Sequence, residues 1–167
     1  MSGHHRLTRI AILTALSLIL FILESLLPLP LPVPGAKLGL AAAATLIALC
    51  TLPRTRDAAA VLALRILLSS FFGGGLAPML YSAAGGAASF AAMVFLRRHT
   101  QCSLPAVSAA GGFLHNMAQL LTAAAVMQTT ALLVYAPILG AAGIGTGIAV
   151  GILAQHLLQR MAAHLPK

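Results

Sequence analysis

Residues 6–34 read RLTRIAILTALSLILFILESLLPLPLPVP. Two arginines, Arg6 and Arg9, stand at the head of an apolar run from Leu7 to Leu27, and Pro28, Pro30, Pro32 and Pro34 close it. About 20 apolar residues, rising ~1.5 Å each, cross the ~30 Å hydrocarbon layer of a bilayer. The run therefore predicts a membrane-spanning helix. Alternate prolines withhold the amide donors a helix needs, so the helix stops there and the chain continues extended, as a stiff loop over the outer face. The run is longer than the apolar part of a secretion signal, no small-residue cleavage site follows, and Glu24 comes next; the expectation is a retained first helix.

The pattern repeats along the rest of the chain. Apolar runs predict further helices at about 38–52, 58–72, 76–96, 105–127 and 131–158. Pro53-Arg54-Thr55-Arg56-Asp57 separates the second from the third, with Asp57 as N-cap. Gly73-Gly74-Gly75 breaks the third from the fourth, and Arg97-Arg98-His99-Thr100-Gln101 reads as a hydrophilic loop before the fifth. Pro137 predicts a bend in the sixth. The fold expected is an all-α, single-domain membrane protein over 1–167: a six-transmembrane-helix bundle.

Composition agrees. Of 167 residues, 60% are hydrophobic and 7% charged, with a mean hydropathy of +0.99. A soluble domain carries about a quarter charged residues to coat its surface, so lipid must cover most of this one. The net charge of +8 does not point to nucleic acid, because the basic residues fall singly or in pairs between apolar runs and form no continuous patch. They report orientation instead. Arg6, Arg9, Arg54, Arg56, Arg97, Arg98, Arg160 and Lys167 fall on one side only when the helix count is six. Positive residues concentrate on the cytoplasmic side, so both termini are expected in the cytoplasm, with the protein multi-pass in the membrane.

Ionisable residues within a span are costly and mark candidate sites. Counting ~1.5 Å per residue places Arg65 roughly 12 Å, and His115 roughly 15 Å, from the cytoplasmic face. Asn116 and Gln119 accompany His115, and His115, Gln119 and Thr122 share a helix face. One reading is a structural polar network. The other is a cavity for a small polar or anionic solute, with Arg65 supplying charge, His115, Asn116 and Gln119 supplying hydrogen bonds, and Ser69, Ser70, Tyr81 and Ser82 lining an entry path. Tyr135 fits an interfacial anchor. Glu24 and Lys37 lie at similar depth near the outer boundary, either as an ion pair clamping the proline loop or as the rim of a solute site. Gly143, Gly147 and Gly151 on the sixth helix, and Gly85 with Ser89 on the fourth, form small-residue stripes that serve packing within the chain or, less simply, self-association.

Catalysis finds little support. Two carboxylates in all leave no aspartate pair to hold magnesium and diphosphate. Cys50 and Cys102 lack metal-ligand spacing; no metal and no cofactor is expected.

The run ESLLPLPLPVPGAKLGLA at 24–41, with Gly112, His115, Asn116 and Gln119 on the fifth helix, resembles a small bacterial family called Gx transporter proteins, also labelled heptaprenyl diphosphate synthase component I. The resemblance implies an Asn after KLGLA, where this chain has Ala42. That family looks similar to the substrate-binding S-components of energy-coupling-factor transporters, whose first helix docks a transmembrane coupling subunit, carrying ATPases, through an Ala-x-x-x-Ala face. Ala11 and Ala15 match that spacing, and the proline loop becomes a lid. The function expected is thus a non-enzymatic, solute-binding subunit of a transporter. The alternatives are a non-catalytic membrane accessory subunit in isoprenoid or quinone metabolism, binding a lipid diphosphate through Arg65 and Lys37, or a scaffold of a membrane redox complex. A carrier requires a closed polar pocket between helices one, three, five and six. A prenyl-binding protein requires an apolar groove open to lipid. A scaffold requires Arg65 and His115 packed together without a cavity.

Overall fold

The computed structural model describes residues 3–26, 41–73 and 76–163. Lys37 and the proline run lie outside them. The described residues form six α-helices and a short 3-10 turn: α1 (Gly3–Leu26), α2 (Ala41–Thr51), α3 (Thr55–Gly73), α4 (Leu76–His99), α5 (Leu104–Val126), the 3-10 turn Thr130–Tyr135, and α6 (Ala136–Ala163).

Three boundaries differ from expectation for physical reasons. Asp57 does not cap α3: the helix already opens at Thr55, and the Asp57 carboxylate instead meets Arg6 Nε of α1 at 3.5 Å. Arg97, Arg98 and His99 continue α4 as its last turn, where basic side chains face the negative end of the helix. Pro137 does not fall in the interior of a continuous α-helix. The chain first turns as 3-10 helix, and Pro137 then lies in the opening turn of α6, where a missing amide hydrogen costs no helical bond.

One end of the bundle gathers the basic residues. Arg6 joins α1 to α3, Arg98 Nη2 donates to Thr55 Oγ1 at 3.0 Å, and Arg97 Nη1 donates to the Leu49 carbonyl at 2.7 Å. The start of α1, the end of α2, the start of α3 and the end of α4 therefore share one end. The start of α5 joins them, since Pro105 lies against Gly151, late in α6.

The short α2 is the centre. Ala43, Ala44, Thr45, Leu46, Ile47 and Ala48 are all buried, which is why this stretch is apolar all round rather than on one stripe. It packs against α1, α3, α4 and α6. On its α1 and α3 side Ala48 and Leu52 meet Ile10, Ala58 and Val61. On the other side Leu46 and Ile47 meet Met93, Val107 and Ala154.

The most extensive interface joins α5 and α6, and glycines make it. A Cβ on Gly112 would fall on the Gly143 carbonyl oxygen, one on Gly147 would come 2.5 Å from the Ser108 oxygen, and one on Gly151 would come 2.5 Å from Pro105 Cα. The glycine stripe thus serves packing within the chain, backbone against backbone.

Large apolar side chains point outward on every long helix, among them Ile12, Phe71, Phe95, Leu121 and Ile138, while polar residues such as Thr14, Ser17, Arg65, Ser89 and His115 are buried. Among the described residues, three segments are long and apolar enough to cross a membrane: His4–Glu24, Pro78–His99 and Thr130–Met161. Ala42–Thr51 is apolar but shorter.

Candidate functional site

Adjacent glycines on α4 assemble the buried polar layer. Gly85 faces α5, where an added Cβ would lie 2.8 Å from Gln119 Cγ and 3.0 Å from His115 Cε1. Gly86 faces α3, with Arg65 Nη2 3.4 Å and Leu62 Cδ1 3.0 Å from the same construction. Two residues without side chains thin α4 at one level, so Arg65 closes from one flank and His115 from the other. A ring nitrogen of His115 reaches the backbone of Gly85, and the charge of Arg65 acts on the imidazole. The expectation that Arg65 and His115 lie in one layer is met by this geometry.

Thr45, Arg65, Ser89 and His115 line one cavity together with Ala42, at the junction of α2, α3, α4 and α5. A second cavity shares Ala42, Ser89 and His115 and adds Ser108 and Thr146, between α2, α4, α5 and α6. Each holds about 10 Å3, space for about one water molecule. Thr45 Oγ1, Arg65 Nε, Ser89 Oγ and His115 Nδ1 are buried without a hydrogen-bond partner. Buried polar atoms of this kind cost about 1–3 kcal/mol each when unsatisfied, so these small polar spaces suit bound water or an equally small polar ligand.

The other sequence candidates fall in different places. Asn116 is buried, but its Nδ2 donates to the Leu139 carbonyl at 2.8 Å, fastening α5 to the first turn of α6. Gln119 is buried against Gly85 with Oε1 unpartnered. Thr122 bonds its own helix at Ala118. Glu24 is buried and near enough for its charge to act on Arg65. Its expected partner, Lys37, lies outside the described residues. Ser69 and Ser70 turn their hydroxyls to carbonyls of their own helix, Ile66 and Leu67, and Tyr81 packs with Leu120, Ala123 and Leu139, so none of these three opens a path. Ala11 and Ala15 are exposed on α1.

Among the described residues, the polar layer holds two water-sized spaces, walled in part by α2 and α4, which the sequence reading had not placed there. Sequence reading missed Thr45 and Gly86, and took Ser89 only as part of a packing stripe and Ala42 only as a departure from the family pattern. The Gly85-Gly86 pair inside a long helix, one turn before Ser89, was the signal available.

Replacing Asn116 by Ala should lower stability by about 1 kcal/mol, the usual worth of an interhelical hydrogen bond in a membrane bundle or slightly more. Thermal unfolding in detergent checks this, with Thr122→Ala as the near-silent comparison, because that hydroxyl ties only its own helix.

An all-helical bundle with an apolar exterior and a buried polar layer defines a membrane protein. The chain belongs to the family described as heptaprenyl diphosphate synthase component I, whose model matches residues 13–157. No curated protein and no solved structure matches the chain.

Proposed function

We propose that the chain is the non-catalytic, membrane-embedded component of an assembly that makes or handles prenyl diphosphates. The charge inventory carries this reading. The whole chain has two acidic residues; Asp57 is engaged by Arg6, and Glu24 is buried near Arg65. Prenyl transfer needs clustered carboxylates to hold magnesium against diphosphate, and a family described as one component of a synthase leaves those to another subunit. In this reading all six helices lie in the inner membrane of a bacterium, with the basic end and both termini in the cytoplasm, where a soluble catalytic partner has access.

One observation favours a second reading, the solute-binding transport subunit. Ala11 and Ala15 are left uncovered by the rest of the chain, as a docking face for a coupling subunit requires. The solute site would then be the layer of Arg65, His115, Asn116 and Gln119, with Glu24 beside Arg65.

Purification of the tagged chain from its native membrane in mild detergent separates the two. The first reading expects a soluble prenyl-chain synthase subunit to come with it, and prenyl elongation in that membrane to fall when the chain is deleted. Recovery of a membrane coupling subunit with ATPases, abolished by Ala11→Trp, would transfer the assignment to the carrier.

A further inference from the structure

At the basic end α2 stops and α4 runs on past it, leaving an open cavity of about 210 Å3. Its apolar lining comes from Leu49, Leu52 and Val94; its polar lining comes from Thr55, Arg97 and Arg98. Both guanidinium groups are oriented by the fold. Arg97 Nη1 is fixed on the Leu49 carbonyl and lies 3.0 Å from Cys50 Sγ, and Arg98 Nη2 is fixed on Thr55 Oγ1. Each guanidinium has five N–H donors, so most remain available. Thr55 also opens α3, which turns the positive end of that helix toward the same space.

Among the described residues no carboxylate answers this charge. Of the two acidic residues, Asp57 is taken by Arg6. Glu24 stands 18 positions beyond Arg6 on α1, roughly 27 Å along the helix. Two oriented guanidinium groups, a hydroxyl and a helix start, set beside an apolar wall, thus have no counterion among the described residues. Planar guanidinium forks match phosphate oxygens in pairs. The volume lies below the ~300–1,000 Å3 of a pocket that swallows a whole drug-sized ligand, so it suits a headgroup whose chain continues into the bilayer.

The geometry points to a binding site for the phosphate-bearing head of an amphiphile, with its first carbons against Leu49, Leu52 and Val94. An isoprenoid diphosphate and a phosphomonoester phospholipid share this chemistry. The Arg65 cavities, about 10 Å3 each, are too small for it. The inference does not depend on the function proposed above, because a bilayer phospholipid fills the site whichever partner the chain has.

The test uses the full chain in phosphatidylcholine nanodiscs, with farnesyl diphosphate, phosphatidic acid and inorganic diphosphate as separate probes, read by native mass spectrometry. Farnesyl diphosphate or phosphatidic acid should be retained, and Arg98→Gln should weaken retention about tenfold or more, as loss of a charge-assisted bond does. Arg98 leads because Arg97 also satisfies the end of α2. Arg9→Gln, which removes a cation that does not line the cavity, should leave retention unchanged. Displacement of farnesyl diphosphate by phosphatidic acid assigns the site to bilayer lipid; resistance to displacement assigns it to the isoprenoid. The proposal is overturned if neither amphiphile is retained. It is equally overturned if Arg9→Gln weakens retention as much as Arg98→Gln, or if inorganic diphosphate binds as tightly as farnesyl diphosphate.

Discussion

Gly112→Ala is expected to be the most damaging single methyl group that can be added to the chain. The new Cβ would fall on the Gly143 carbonyl oxygen, with Gly147 Cα at 3.3 Å behind it. Backbone stands on both sides of the contact, so no flexible side chain can swing away, and α5 and α6 must separate along their whole interface. The cost should reach or pass the upper end of ordinary overpacking, about 3 kcal/mol. Gly145→Ala supplies the comparison on the same interface helix. Nothing lies within 4 Å of its Cβ position, so the change should be neutral or stabilise by up to about 1 kcal/mol through helix propensity. Melting of the two variants in detergent, followed by size-exclusion chromatography, decides the matter. Equal melting temperatures would show that α5 and α6 are not held at backbone contact.

Leu46→Ala should come close behind. Leu46 is fully buried in the middle of α2 and packs with Met93 of α4, Val107 of α5 and Ala154 of α6. Removing its branched end leaves a cavity at the junction of four helices. Loss of a buried leucine costs about 2–5 kcal/mol in soluble proteins, part of it transfer and part cavity. In a bilayer the transfer part shrinks, because lipid is as apolar as the core, while the cavity part stays, so about 2–3 kcal/mol is expected. Leu46→Met, which nearly conserves volume, should cost under about 1.5 kcal/mol. A loss for Leu46→Ala no greater than for Leu46→Met would mean that the four helices close over the gap, and that α2 is not the fixed centre described above.

The helices were legible in the sequence because each is set by its own stretch: an apolar run, a proline or glycine break, a pair of arginines. The level of Arg65 and His115 was legible too, since helical rise is constant and two residues counted from the same face can be compared. What sequence could not supply was neighbourhood. Periodicity shows that Thr45 and Ser89 are buried but not which helix buries them, so the part that α2 and α4 take in walling the polar layer went unread. Pro137 was misplaced because a proline reads alike at the start of a helix and inside one, and only the preceding 3-10 turn distinguishes them. Arg97 and Arg98 were read solely as orientation signals. Their approach to Thr55 and Leu49 spans 43 and 48 positions of chain, beyond any local pattern. Gln128, with φ of +50°, is a similar case. It ends α5 in a left-handed turn where glycine is usual, and its amide and that of Thr129 return to Ala125 and Ala124.

The central helix also bears on how the protein is made. At eleven residues, α2 is about 16 Å long, roughly half the hydrocarbon thickness, and it cannot hold itself in a bilayer unaided. The group that closes its last turn, Arg97, leaves the ribosome 48 residues after Leu49. At ~5–20 residues per second that is an interval of roughly 2–10 s, during which α2 has only α1 and the growing α3 beside it. In the six-span reading proposed above, the first four helices are expected to enter the membrane as one cohort, committed together when α4 is complete, and a pause in translation between residues 52 and 97 is expected to strand the segment on which the finished bundle is centred.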